Sequence, residues 1–170
     1  PYGVSKLAAE HYCRVFNMLY DLPTVNLRYF TVYGPRMRPD MAITNFTWRC
    51  VRGKPLQIYG DGEQTRDFTQ IDDVVRANVK LLETDAADGE TMNVGSGGNI
   101  PITALAEHVI DVTGADVGVE HQAAKKGDAR HTHADYTKAT ELIGYEPTTG
   151  IREGVTAFVD WYEANRDWYE

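Results

Sequence analysis

Cysteine is nearly absent from this chain. Cys13 and Cys50 are the only two in 170 residues. They have neither Cys-x-x-Cys spacing nor a nearby histidine partner, which speaks against a disulfide framework or a thiolate metal site and predicts buried reduced thiols. Long apolar runs are missing too. No stretch approaches the ~20 residues that a membrane-spanning helix requires, so no membrane partner is expected. Basic residues are in deficit, with 17 Lys and Arg against 25 Asp and Glu and a net charge of −8. Nucleic-acid and anionic-lipid surfaces draw on basic clusters, so neither partner is expected, and each arginine has to be read individually. The acidic excess suits ordinary solubility and equally a high-salt cytoplasm. The Gly-x-Gly-x-x-Gly phosphate cradle is lacking as well. Gly95-Ser-Gly-Gly98 precedes Asn99-Ile-Pro101 rather than a helix and reads as a turn. His11, His108, His121, His131 and His133 show no metal-ligand spacing, so no metal is expected.

What is present is sufficient for one packed domain, since hydrophobic residues make up 42% of the chain and aromatics 11%. Val4, Leu7, Ala8, Tyr12, Val15, Phe16 and Leu19 recur at three and four, which predicts a long helix with one buried stripe. Val25 to Phe30 is short, β-branched and aromatic, and predicts a buried strand ending in a loop at Tyr33-Gly34-Pro35. A helix over Ile43 to Val51 follows. Strands Leu56 to Tyr59 and Thr65 to Gln70 flank the turn Gly60-Asp-Gly-Glu63, and Asp72 suits the N-cap of a helix through Leu82. A strand at Thr91 to Val94, a helix over Thr103 to Thr113 closed by Gly114 and a strand at Val117 to His121 come next. Helices over Thr137 to Ile143 and Ile151 to Asn165 complete the chain. Alternating strands and helices predict an α/β protein.

Tyr2 and Lys6 stand four apart at the very start. On a helix this spacing puts a phenol and an ammonium on one face, where the cation favours the phenolate. A phenolate that removes a hydroxyl proton while hydride leaves the same carbon needs such a cation and a nicotinamide acceptor. The plain alternative is an exposed helical tyrosine beside a solvated lysine. A catalytic pair at residue 2 leads to the expectation that the chain begins inside a larger domain, its cofactor-binding half lying upstream.

Four segments bear on that choice: Asn26-Leu-Arg-Tyr-Phe-Thr-Val-Tyr-Gly-Pro-Arg36, Tyr59-Gly-Asp-Gly-Glu-Gln-Thr-Arg-Asp-Phe-Thr-Gln-Ile-Asp-Asp73, Met92-Asn-Val-Gly-Ser96 and Lys126-Gly-Asp-Ala-Arg130. In sequence and order they resemble the extended short-chain dehydrogenases that act on nucleotide sugars, and with Tyr2 and Lys6 the resemblance runs to about Tyr162. It implies an α/β fold: the C-terminal part of a doubly wound Rossmann-type parallel sheet, with a smaller α+β substrate-binding domain. Residues 1–34 would belong to the dinucleotide-binding part and 35–170 mainly to the nucleotide-sugar part, with about 65–96 returning to the first. NAD is the implied cofactor, a UDP-sugar the implied substrate and a cytoplasmic homodimer the implied assembly. UDP-sugar 4-epimerases of the glucose/galactose type come first, with uronate 4-epimerases, dehydratases and decarboxylases as close relatives. A fragment that only binds a UDP-sugar is the non-catalytic alternative.

Carried over by position, the resemblance makes Tyr2 the base and Lys6 its partner and ribose anchor, with Tyr29 and Phe30 beside the nicotinamide. Thr31 stands where glucose and galactose epimerases commonly carry Asn. Together with Arg38-Pro-Asp-Met-Ala42 it is similar to uronate 4-epimerases, in which a hydroxyl and an arginine recognise a carboxylate. Arg66 matches a diphosphate-binding arginine and Asp128 an acid that accepts bonds from the uridine ribose. Lys125 stands where many relatives carry a phosphate-binding Arg, and Arg130 is a second cation for that task. Tyr59 belongs to a segment that cradles uracil, and strand packing explains it equally well. Asp72 and Asp73 read as helix capping rather than a carboxylate dyad.

Overall fold

The computed structural model describes residues 1–169. The first half of the chain runs α1 (Tyr2–Tyr20), β1 (Asn26–Tyr29), β2 (Thr31–Tyr33), α2 (Ala42–Val51), β3 (Leu56–Tyr59), β4 (Thr65–Arg66), β5 (Phe68–Gln70) and α3 (Ile71–Leu81). The second half runs β6 (Thr91–Val94), β7 (Ile100–Pro101), α4 (Ile102–Thr113), β8 (Val119–Gln122), α5 (Thr137–Ile143) and α6 (Ile151–Tyr169). The strands form two-stranded ladders: β1 with β6, β2 with β5 and β3 with β8, all parallel, and β4 with β7 antiparallel. Each parallel pair is joined by a crossover that carries at least one helix, which is how parallel strands have to connect. The α/β expectation therefore holds.

The predicted strand over Val25 to Phe30 forms as β1, with Arg28 and Tyr29 exposed rather than buried, and a second strand, β2, follows it directly. The Phe30 amide donates to Val94 O at 3.1 Å, and the next amide, Thr31, donates to Asp67 O at 3.0 Å. The strands either side of Gly60-Asp-Gly-Glu63 do not pair with each other. β3 leaves the turn toward β8, while β4 and β5 go to β7 and β2. The turn itself forms, with Gly60 and Gly62 at φ 75° and 81°, conformations that favour glycine. Burial decides the pairing. Leu56 and Ile58 are buried against α2 and α4, and β3 takes β8 as its partner there.

There are two cores. One joins α2, α4 and α6 through Ile43, Phe46, Leu105, Val109, Phe158 and Tyr162. The other joins β6, α3 and α5 through Met92, Val94, Val74, Ala77, Ala139 and Ile143. The N-cap of α3 is Gln70, whose side chain accepts from the Asp72 amide, so Asp72 is a first-turn residue instead of the cap. Asp73 is buried and accepts from Arg76, from the Thr148 amide at 3.0 Å and from the Thr148 hydroxyl at 3.2 Å. Its task is to tie down the loop before α6. Cys50 is buried as expected, whereas Cys13 is only half-buried. The reason lies in α1, none of whose residues is buried. Its apolar stripe exists, but Leu7, Val15 and Phe16 face solvent. α1 is tied down by an ion pair, with Arg28 Nε and Nη2 donating to Glu10 Oε1 and Oε2 at 2.7 and 2.6 Å, and by the Thr24 hydroxyl, which donates to Cys13 O at 3.1 Å. That pair keeps the Glu10 carboxyl below its ordinary range.

Gly154 shows how tightly α6 meets the first core. A methyl carbon built there would lie 2.0 Å from Tyr33 Oη and 2.7 Å from Tyr33 Cζ. Tyr33 is fully buried, edge-on to Phe68, so it has no room to retreat. Gly to Ala in a helix ordinarily gains up to ~1 kcal/mol. Overpacking costs about 1–3 kcal/mol and wins here. Gly154→Ala is expected to lower the urea midpoint, and adding Tyr33→Phe to recover part of the loss.

Candidate active site

The start of β2, the start of α2 and the segment from β3 to the glycine turn enclose a cavity of about 720 Å³. Its floor includes Ile58, Phe68 and Ile102, and its polar wall Thr31, Gln57, Gln64, Arg66 and Asp128. The volume falls within the usual range for small-molecule sites. Arg66 is held there because β4 is only two residues long and antiparallel to β7. Its side chain is 14% exposed, with Nη1 donating to Thr65 O at 2.7 Å and Nη2 to Asp128 Oδ1 at 2.6 Å. Lys125 Nζ lies 4.0 Å from the centroid of the Tyr59 ring, over its face. Lys125, Lys126, Gly127 and Asp128 form one side of the cavity. Cations thus gather in one hollow of an otherwise acidic chain, which suits a polyanionic ligand.

Five of the expected substrate residues, Thr31, Tyr59, Arg66, Lys125 and Asp128, line this cavity. Arg38 and Arg130 do not. Arg130 Nη1 donates to both carboxylate oxygens of Asp61 at 2.9 Å and closes the glycine turn from outside. The Glu63 amide and then that guanidinium hold the Asp61 carboxyl below its ordinary range. Arg38 is 75% exposed, with Nε 3.3 Å from Asp40 Oδ1. It lines a smaller hollow of about 250 Å³ with Arg36 and Met37.

A further cleft of about 600 Å³ opens beside Arg28, Tyr29, Phe30 and Thr31. The Tyr29 hydroxyl donates to Asn78 Oδ1 at 3.0 Å. Thr31 and Met41 line both this cleft and the large cavity, so the two adjoin there. Tyr2 is 75% exposed on the first turn of α1, with Lys6 Nζ 5.6 Å from its ring centroid. The pair therefore shares a helix face as its spacing predicts, and neither residue lines the cavity or the cleft. The Gly95-Ser-Gly-Gly98 turn is not a phosphate cradle, because the Ser96 and Gly97 amides are donated to Asp67. Among the described residues no group of three or more His, Cys, Asp or Glu side chains is arranged to hold a metal. No described helix is long and apolar enough to cross a membrane.

Sequence reasoning passed over Asp67. It is fully buried between β4 and β5, and it accepts from the Ser96 amide and hydroxyl at 2.8 Å and from the Gly97 and Ala134 amides at 3.0 Å. One carboxylate thereby fixes the β6 exit and the chain before α5 against the strand that carries Arg66. Its charge is the second cause, after burial, that pushes the Tyr145 phenol up to about 12. The signal in the sequence was a carboxylate inside an otherwise strand-forming run. Met41, Asn45, Gln57 and Gln64 also line the cavity, uncharged residues to which the sequence assigns no individual role.

The sequence model described as the NAD dependent epimerase/dehydratase family matches residues 1–95. The chain is 39% identical over 166 residues to the UDP-glucuronate 4-epimerase of Thermodesulfobacterium geofontis, covering 97% of this chain and 51% of that protein. The UDP-glucose 4-epimerase of Thermotoga maritima, solved with UDP-glucose, superposes with a TM-score of 0.94 at 37% identity, over 98% of this chain and 54% of that one. The UDP-glucuronic acid 4-epimerase of Bacillus cereus, solved with UDP-glucuronic acid and NAD, gives 0.91 at 41% identity over 96% and 52%. The chain spans about half the length of the curated relatives it matches.

Proposed function

The chain belongs to the NAD dependent epimerase/dehydratase family, and from that premise we propose that the full-length protein carrying it is an NAD-dependent UDP-sugar 4-epimerase. One observation carries the reading most directly. The cationic cavity at Arg66 and Lys125 adjoins the cleft at Tyr29 and Phe30 along Thr31 and Met41, so a diphosphate and a hydride-exchanging carbon have neighbouring places. The uronate form of the reaction is favoured by Thr31 and by Arg38 beside the cavity, since a guanidinium fork suits a carboxylate.

The residues present fit one end of NAD. The cleft at Tyr29 and Phe30 has an aromatic edge for the nicotinamide, and Lys6 would hold the adjoining ribose. NAD, when bound, supplies the acceptor and donor of hydride. The Tyr2 oxygen takes the proton of the sugar 4-hydroxyl and returns it after the 4-keto sugar has turned its other face, while Lys6 steadies the phenolate. Arg66 and Lys125 neutralise the diphosphate, Tyr59 offers an aromatic face to uracil and Asp128 accepts from the uridine ribose. Arg130 serves through the Asp61 turn that shapes the uracil side. Residues 1–34 and about 65–96 are assigned to the dinucleotide-binding unit and the remainder to the nucleotide-sugar unit, though Tyr33 and Phe68 pack in the first core and α5 in the second. A cytoplasmic homodimer belongs to the same proposal, its pairing supported by the exposed apolar face of α1.

The full-length protein with NAD is expected to convert UDP-glucuronate to its 4-epimer with no net NADH. Chromatography of the products checks this. UDP-xylose, or a 4-keto-6-deoxy sugar from UDP-glucose, would replace the epimerase by a decarboxylase or dehydratase.

A further inference from the structure

We infer that Met41 is the specificity-determining residue of the sugar subsite, a thioether wall that separates the bound hexose from Arg38 and sets which substituents reach that guanidinium. The inference deepens the nucleotide-sugar reading and rests on it. Met41 lines all three hollows: the large cavity with Arg66, the cleft with Tyr29, and the small hollow with Arg36 and Arg38. Thr31 lines only the first two, and it and Met41 are the residues those two share. A hexose whose diphosphate lies at Arg66 and whose reacting carbon faces Tyr29 has to sit against those two residues. One wall is a hydroxyl and the other a thioether, which matches the hydroxyl edge and the C–H face of a pyranose.

Met41 also stands between the hexose and Arg38. Between the large cavity and the small hollow it is the shared residue. Arg38 Nη2 donates to Met41 Sδ at 3.6 Å, so the guanidinium rests on the thioether from the far side. The Met41 backbone is fixed, extended at φ −83° and ψ 152° at the N-cap of α2, with its carbonyl accepting the Asn45 amide at 2.9 Å. The side chain keeps three rotatable bonds. A carboxylate on the sugar gains a charge-assisted pair with Arg38 once the thioether turns aside, and a neutral hydroxymethyl gains nothing comparable from that rotation. Met41 thus packs on every hexose but obstructs only the charged substituent.

Calorimetry on the full-length protein with UDP, UDP-glucose and UDP-glucuronate tests this. In Met41→Ala the affinity for UDP-glucose is expected to fall about tenfold through lost packing while that for UDP-glucuronate holds, raising their ratio about tenfold. UDP itself is expected to bind as before. Met41→Leu, which conserves volume, is expected to leave the ratio near the wild type. Should Met41→Ala lose UDP binding, Met41→Val decides, and its ratio has to rise as well. An unchanged or falling ratio with UDP binding intact overturns the inference and leaves the nucleotide-sugar reading standing. A wild-type protein that binds neither UDP nor its sugars overturns that reading itself, and the inference with it.

Discussion

Asp67→Ala is expected to remove about 3–5 kcal/mol of folding stability, since the Ser96, Gly97 and Ala134 amides would each lose a buried acceptor at about 1–3 kcal/mol apiece. The sum stays below the upper limit because water can enter the space left behind. Asp67→Asn preserves the shape but turns an amide N–H₂ toward donors, so it is expected to lose at least half as much. Ser96→Ala removes one donor and leaves the carboxylate its three amides, and is expected to cost under about 1.5 kcal/mol. Urea denaturation with an unchanged m-value checks the series. If Asp67→Ala proved as mild as Ser96→Ala, the carboxylate would not be the tie that joins β4, the β6 exit and the approach to α5. Arg66 follows Asp67 in these effects because they are neighbours in the chain. A loosened β4 is therefore expected to weaken UDP binding before the protein unfolds.

The second large effect is on turnover. Tyr2→Phe removes the oxygen that would accept the 4-hydroxyl proton and keeps the ring beneath Lys6. Positioned proton transfer contributes roughly 10²–10⁴-fold, so kcat of the full-length protein is expected to fall by about 10³. UDP affinity is expected to remain within twofold of the wild type, because Tyr2 is not part of the cavity that holds Arg66. A fall in UDP affinity equal to the fall in kcat would make Tyr2 a structural residue. Steady-state kinetics and calorimetry on the same preparation separate the two.

The helices were legible because their apolar residues keep a period near 3.6, and Gly114 and Gly144 close α4 and α5 in left-handed conformations. The partners of the strands were not legible. A turn with two glycines predicts a hairpin, yet Leu56 and Ile58 bury beneath helices that the local sequence does not announce. The periodicity of α1 correctly gave a helix and misjudged its burial, since a stripe records what a face can pack against and not whether the described chain supplies it. At the site, the charged and aromatic positions Arg66, Lys125, Asp128 and Tyr59 were legible because runs of several residues resemble a family in register. Met41 was not, because a methionine carries no chemical signature. Its importance comes from standing at the start of α2, where three hollows happen to meet. Asp67 was hidden by its setting, a carboxylate whose partners are amides distant in sequence.

The division of the chain at Phe30 and Thr31 has a mechanical meaning. Two consecutive amide protons are committed to different neighbours, Val94 on one side and Asp67 on the other. The peptide between them is a seam where one ladder ends and the next begins. A molecule lodged across Thr31 works as a stitch in that seam. It ties the β1–β6 ladder to the β2–β5 ladder, so occupancy of the pocket is expected to slow amide exchange in both, far from any atom the molecule touches.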